Sequence, residues 1–201
     1  MNLSIKIRGL LNFSPASLTN YKTYVNPEEV MTQYLLTGKK QYLIILVKEF
    51  NATLYHYLLS QSDKVTAEDV IQTTWLKVMR TNTKIQKGVF HTHVKSWLFT
   101  IARNTLIDEL RKQNKWQYVE LEDQLNSNQT LEQLVEHEDK LIQFNQALLA
   151  LPFLQREAFI LQQEGFSIEE IGELTAESFE AIKSRLRYAR NHFKKCLGGE
   201  S

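Results

Sequence analysis

Apolar residues return every three or four positions through most of the chain, while strict two-residue alternation is scarce, so helices are expected almost throughout. Asn26-Pro27-Glu28-Glu29 sets a capping side chain before a proline at the first helical position, and Gly38 supplies the matching stop. A second, aromatic-rich helix is predicted from about Gln41 to Leu59. Thr66-Ala67-Glu68-Asp69 predicts a capped start with acids in the first turn, and the helix it opens carries Val70, Ile71, Thr74, Trp75 and Val78 on one apolar face. From Thr81 to Val94 no helical period is sustained and Gly88 sits near the middle, which predicts a loop. SWLFTIARNTLIDELRK, beginning at Ser96, then predicts a long helix to about Asn114. Four helices ending near residue 115 make a first domain.

The second half begins with a polar stretch from 116 to about 130 that includes Asn126-Ser127-Asn128-Gln129 and predicts a linker. Helix resumes near Leu131, and Leu151-Pro152 opens another helix that stops at Gly165. Ser167-Ile168-Glu169-Glu170 spells a capping box before a short helix to Leu174. Thr175-Ala176-Glu177 is a turn, and Ser178 caps a last helix to about Leu197. A short helix, a three-residue turn and a longer helix form the helix-turn-helix pattern. In the last helix Ile182, Leu186, Ala189 and Phe193 make one narrow apolar stripe, and Glu180, Ser184, Arg187 and Asn191 lie opposite, flanked by Lys183 and Lys194.

Composition supports this picture. Seven Gly and three Pro in 201 residues are few for a chain that must turn repeatedly, and 43% hydrophobic residues can fill packed cores. Lys6 and Arg8 precede an apolar run too short for a signal-peptide core, and the longest run elsewhere, Tyr42 to Val47, is far short of a membrane span. A soluble, cytoplasmic protein is expected. The single Cys196 has no partner for an internal disulfide and no companions for a zinc site.

The net charge of +1 conceals a sharp division. Lys77, Arg80, Lys84, Lys87, Lys95, Arg103, Arg111, Lys112 and Lys115 face only Asp108 and Glu109. From Trp116 to Asp139 the charges are all acidic, and from Lys183 to Lys195 they are all basic: Lys183, Arg185, Arg187, Arg190, Lys194 and Lys195. Two basic blocks around an acidic one suggest two polyanion-binding surfaces joined by a segment that avoids the polyanion. Solvated helix faces are the plainer alternative.

A helix entering the major groove needs one face held by its own domain and another carrying base-edge donors and cations. Arg187 suits guanine, Ser184 suits several bases, and Lys183 or Arg190 suits phosphate. His91-Thr92-His93 offers two metal ligands with no carboxylate nearby, and neither a phosphate-binding glycine loop nor a nucleophile motif is present. Neither a cofactor, a catalytic residue nor a small-molecule substrate is expected.

LPFLQREAFILQQEGFSIEEIGELTAESFEAIKSRLRYAR resembles region 4 of sigma-70-type factors of the small extracytoplasmic-function (ECF) class, most specifically in Ile182-Lys183-Ser184-Arg185-Leu186 with Ala189-Arg190. It departs at the turn, where the family has Gly and an apolar residue and this chain has Ala176 and Glu177. Acidic Glu180 also stands near where the recognition helix enters the groove. The resemblance continues from about residue 28 to 114, which is similar to region 2, and Ala67 to Trp75 matches its polymerase-binding helix. Asp69, Gln72 and Trp75 are thereby implied in polymerase binding, although spacing alone assigns Trp75 to the core. The Ser96 helix matches the reader of the −10 element. Asn104, Asp108 and Arg111 form its polar stripe, continued by Lys115, and Arg103 is carried over with them. Trp97 fits either a core wedge or a DNA contact. The preceding loop, with Asn82, Lys84, Lys87 and Phe90, is implied in capture of a flipped base, which must repay the cost of unstacking.

The expectation is an all-α chain: an extension of unknown role (1–26), a four-helix sigma region 2 domain (27–115), an acidic linker (116–135) and a helix-turn-helix region 4 domain (136–201). Lys183, Ser184, Arg185, Arg187 and Arg190 are its candidate −35 contacts. The implied partners are promoter DNA, core RNA polymerase through its largest-subunit coiled coil and β flap, and an anti-sigma factor, often membrane-bound in this class. A helix-turn-helix regulator with an N-terminal sensing or dimerisation domain is the alternative; it leaves the first basic block and the Asp69-Gln72-Trp75 pattern unexplained. An adaptor that binds only proteins leaves both basic blocks idle.

Overall fold

The computed structural model describes residues 26–81, 93–113 and 140–197, and all their regular elements are helices. They are α1 (Pro27–Thr37), α2 (Lys40–Gln61), α3 (Lys64–Thr81), α4 (Val94–Lys112), α5 (Lys140–Leu149), α6 (Phe153–Gln163), α7 (Ile168–Thr175) and α8 (Phe179–Leu197). These residues fall into two compact units, one holding 26–58, 63–81 and 93–106, the other 59–62, 107–113 and 140–197.

Local chemistry sets most of the ends. The Asn26 side chain accepts from the Glu28 N–H at 3.0 Å, and Gly38, with φ 65°, closes α1 by donating its N–H to the Tyr34 carbonyl. The start of α3 differs from expectation: it lies at Lys64, capped by Asp63. The Asp63 carboxylate accepts from the Thr66 N–H at 2.9 Å and from the Thr66 hydroxyl at 3.1 Å, so Thr66 is drawn inside the first turn and buried. One carboxylate with two acceptor oxygens outcompetes a hydroxyl for that role. Helix α4 also begins earlier than its apolar period suggests, because Glu28 of α1 accepts from the Val94 N–H at 3.3 Å. The predicted 81–94 loop lies mostly, and the 116–130 linker wholly, outside the described residues, and of the helix expected to resume near Leu131 the described part is α5 from Lys140.

In the first unit the apolar faces of α1 to α4 converge on fully buried Met31, Leu43, Leu46, Leu54, Tyr57, Trp75, Leu98, Phe99 and Leu106, with the Tyr57 and Phe99 rings 5.3 Å apart. In the second, α8 packs on α5, α6 and α7, and Phe193 stacks on Phe144 at 5.1 Å and tilts against Phe159 at 4.7 Å. His192 adds a 2.9 Å hydrogen bond to the Ala147 carbonyl.

The link from α7 to α8 fixes the presentation of α8. The full capping box forms at Ser167 and Glu170, with bonds of 3.2 and 2.8 Å. Helix α7 ends with Ala176 in the left-handed region (φ 58°, ψ 41°), the only non-glycine positive φ among the described residues. The Glu177 N–H then donates to the Gly172 carbonyl at 2.9 Å, and a Cβ on Gly172 would stand 2.9 Å from the Glu177 carbonyl oxygen. Glycine at 172 is what lets the turn fold back so tightly.

Candidate nucleic-acid interface

Ser178 caps α8 by accepting from the Ala181 N–H at 3.2 Å. From there the helix divides cleanly: Ile182, Leu186 and Ala189 are buried, while Glu180, Lys183, Ser184, Arg187, Arg190, Asn191 and Lys194 are exposed. The exposed residues follow the helical repeat and make one continuous polar face, the geometry a groove-binding helix requires. Arg190 is partly committed within the protein, donating to the Gln162 side chain of α6 at 2.9 Å.

Arg185 does not join that face. It is 8% exposed, and its guanidinium donates to Glu177 at 3.0 Å. The expected −35 contact at 185 therefore gives way to a brace between the turn and α8. Its position on the wheel beside the apolar stripe, and an acid at 177 within reach, turn it inward.

On α4, Asn104, Asp108 and Arg111 occupy one exposed stripe at intervals of four and three, and half-buried Trp97 and Ile101 border it. Arg103, expected among the DNA contacts, is 8% exposed and belongs to the inner side of the helix, next to buried Ala102 and Leu106. Lys77 also turns inward from the first basic block, its Nζ donating to the Thr105 hydroxyl at 2.8 Å across α3 and α4. Asn82, Lys84, Lys87 and Phe90, together with the His91 of the two-histidine pair, lie outside the described residues, as does Lys115. At the end of α4 the Glu109 carboxyl is held below its ordinary pKa, chiefly by the hydrogen bond from the Gln113 side chain and then by the one from Lys112.

Helix α3 carries the clearest correction. Trp75 is 2% exposed, and its indole N–H donates to the Asn51 side chain at 2.9 Å, so it is a core residue and not a surface anchor. Its spacing with Val70, Ile71, Thr74 and Val78 pointed there from the start. Asp69 is exposed and Gln72 half-exposed, and the same wheel puts 70%-exposed Val65 and half-exposed Leu76 beside them, opposite the core. Steps of three and four from Asp69 through Gln72 reach Val65 and Leu76, so the sequence spacing already carries this outward face.

The sigma-70 region 2 family matches residues 46–116, and the sigma-70 region 4 family matches residues 141–193. Over 139 residues the chain is 32% identical to the ECF RNA polymerase sigma factor EcfG of Rhodopseudomonas palustris, covering 65% of this chain and 71% of that protein. The chain is an ECF sigma factor. A second relative, RNA polymerase sigma factor YlaC of Bacillus subtilis, is 28% identical over 156 residues, or 75% of this chain and 88% of YlaC. Among solved structures, the sigma factor RpoE of Bartonella quintana, in complex with the anti-sigma factor NepR, matches with TM-score 0.59 and 29% identity over 81% of this chain and 100% of its own. CnrH, solved with the cytosolic domain of CnrY, shares the fold at TM-score 0.60 and 18% identity, over 87% of this chain and 99% of its own.

As an ECF sigma factor the protein directs transcription initiation by RNA polymerase, and its region 4 helix-turn-helix binds DNA. Sigma factors are initiation factors and not enzymes, so its side chains recognise and position nucleic acid and polymerase while the chemistry takes place elsewhere. Among the described residues no helix is long and apolar enough to cross a membrane.

Proposed function

We propose that this ECF sigma factor divides promoter recognition between its region 2 and region 4 segments. Residues 27–115 dock on core polymerase and open the −10 element, and residues 136–201 seat α8 in the −35 major groove. Residues 116–135, an acidic linker, run through polymerase toward the RNA exit path, where negative charge keeps clear of nucleic acid. The observation that carries this reading is the division of α8, whose buried stripe is locked by α5 to α7 while its whole opposite side is polar and exposed.

Lys183, Ser184 and Arg187 act at that surface, Arg187 toward a guanine edge and Lys183 toward phosphate, with Arg190 at its flank. Arg185 supports them by bracing the turn. In the −10 region, Asn104 and Asp108 supply groups for exposed base edges, Arg111 supplies charge for the backbone, and Trp97 supplies a flat surface beside them. Asn82, Lys84, Lys87 and Phe90 complete the capture of a flipped base. The Val65-Asp69-Gln72-Leu76 face of α3 fits the largest-subunit coiled coil better than Trp75 does, since only that face can be covered without unfolding the domain. Residues 136–201 also touch the β flap. An anti-sigma partner, in the bacterial cytoplasm or tethered at the inner membrane face, completes this reading; RpoE of Bartonella quintana, solved with the anti-sigma factor NepR, supports the partner.

The test is reconstitution. Full-length protein mixed with core RNA polymerase should initiate from a defined set of promoters, and Asn104→Ala should reduce permanganate reactivity of the melted region more than closed-complex formation. Failure to bind core polymerase overturns the reading.

A further inference from the structure

With α8 taken as the −35 helix, as proposed above, we infer that Glu180 is a specificity-determining residue that selects a cytosine under the first turn of that helix. Glu180 follows the Ser178 cap by two residues, and residues at the start of a recognition helix are the ones that meet base edges. It lies opposite the buried stripe on the same side as Ser184 and Arg187. An ionised carboxylate only accepts hydrogen bonds, and the major-groove edge of cytosine offers a lone donor, its N4 amine. Guanine and thymine present acceptors there, and adenine sets an acceptor beside its donor, so each repels a carboxylate.

An acid facing a groove lined with phosphates also needs compensation, and the neighbouring side chains supply it. Lys183 Nζ stands 3.8 Å from Glu180 Oε1 and 5.8 Å over the ring centroid of Phe179, which is itself 43% exposed at the first position of α8. Phe179 and Lys183 thus hold a positive charge beside Glu180. The pair meets the phosphates with little net charge while the carboxylate keeps its preference, giving up general affinity for discrimination.

The experiment uses holoenzyme assembled from core polymerase and full-length protein, acting on promoters with a fixed −10 element and a randomised −35 element. Wild type should enrich cytosine at one −35 position. Glu180→Ala should lower discrimination at that position by about 5- to 150-fold and raise binding to other sequences. Glu180→Gln, nearly isosteric, should move the preference at that position toward adenine, because an amide pairs with the adenine donor and acceptor together. Lys183→Ala should weaken binding to all sequences while the cytosine preference persists. If wild type enriches a −35 sequence and Glu180→Ala enriches the same one, this inference falls and the placement of α8 stands. If wild type enriches no −35 sequence, both fall.

Discussion

Ala176→Gly should stabilise the helix-turn-helix. Ala176 is held at φ 58° and ψ 41°, and its side chain is exposed, so glycine there removes no packing. A residue with a Cβ costs about 1–2 kcal/mol in the left-handed region. Glycine returns roughly 0.4–1 kcal/mol of that through the larger entropy of the unfolded chain. The difference leaves about 0.8 kcal/mol in favour of glycine. Native-state hydrogen exchange reads this locally: amides of buried Ile182, Leu186 and Ala189 should gain about fourfold protection where exchange proceeds by opening of this unit. Gly172→Ala in the same turn should do the reverse, because the new methyl would meet the Glu177 carbonyl oxygen at 2.9 Å. Overpacking against backbone costs about 1–3 kcal/mol, and the helix-propensity gain of about 1 kcal/mol offsets only part of it. Unchanged or reduced protection in Ala176→Gly would show that the left-handed residue stores no strain, and the reasoning would be wrong.

Three further outcomes are expected. A double-mutant cycle on Arg185 and Glu177 should give a coupling of about 1 kcal/mol in stability, modest because Glu177 is partly solvated; zero coupling with a uniform loss of DNA affinity would return Arg185 to the DNA surface. Trp75→Phe should lower stability by about 1 kcal/mol through the lost indole hydrogen bond to Asn51 yet leave core-polymerase affinity intact, whereas Leu76→Asp should lower that affinity with little effect on stability; the opposite pattern in a binding titration contradicts the docking face. Burial raises the pKa of Tyr34 above its ordinary value, so its contribution is complete below the unfolded-state pKa and is lost as pH rises through the folded one. Urea midpoints measured from about pH 8 to about pH 11 should therefore fall more steeply for wild type than for Tyr34→Phe, and parallel curves would contradict this.

The elements that the sequence determined by itself are those whose causes lie within one turn of helix. Asn26 before Pro27, Gly38, the Ser167 and Glu170 box, Ser178, and the Ile182-Leu186-Ala189 stripe each depend on neighbours two to four residues away, and each formed as its spacing predicted. The tertiary structure decided the residues at the borders of those stripes. Arg103 and Arg185 carry the charge of DNA contacts, but burial followed what packed or paired beside them, and Glu177, read first as a departure in the turn, is the partner of Arg185. The resemblance to a polymerase-binding helix implies an outward Trp75, against a periodicity that places it inside, and the structure buries it. Asp63 displaced Thr66 as the cap of α3, and Glu28, 66 residues away, helped set the start of α4. Helical period specifies which side of a helix a residue occupies. How deep that side lies, and which polar group meets its donors, depends on other helices that the period does not encode.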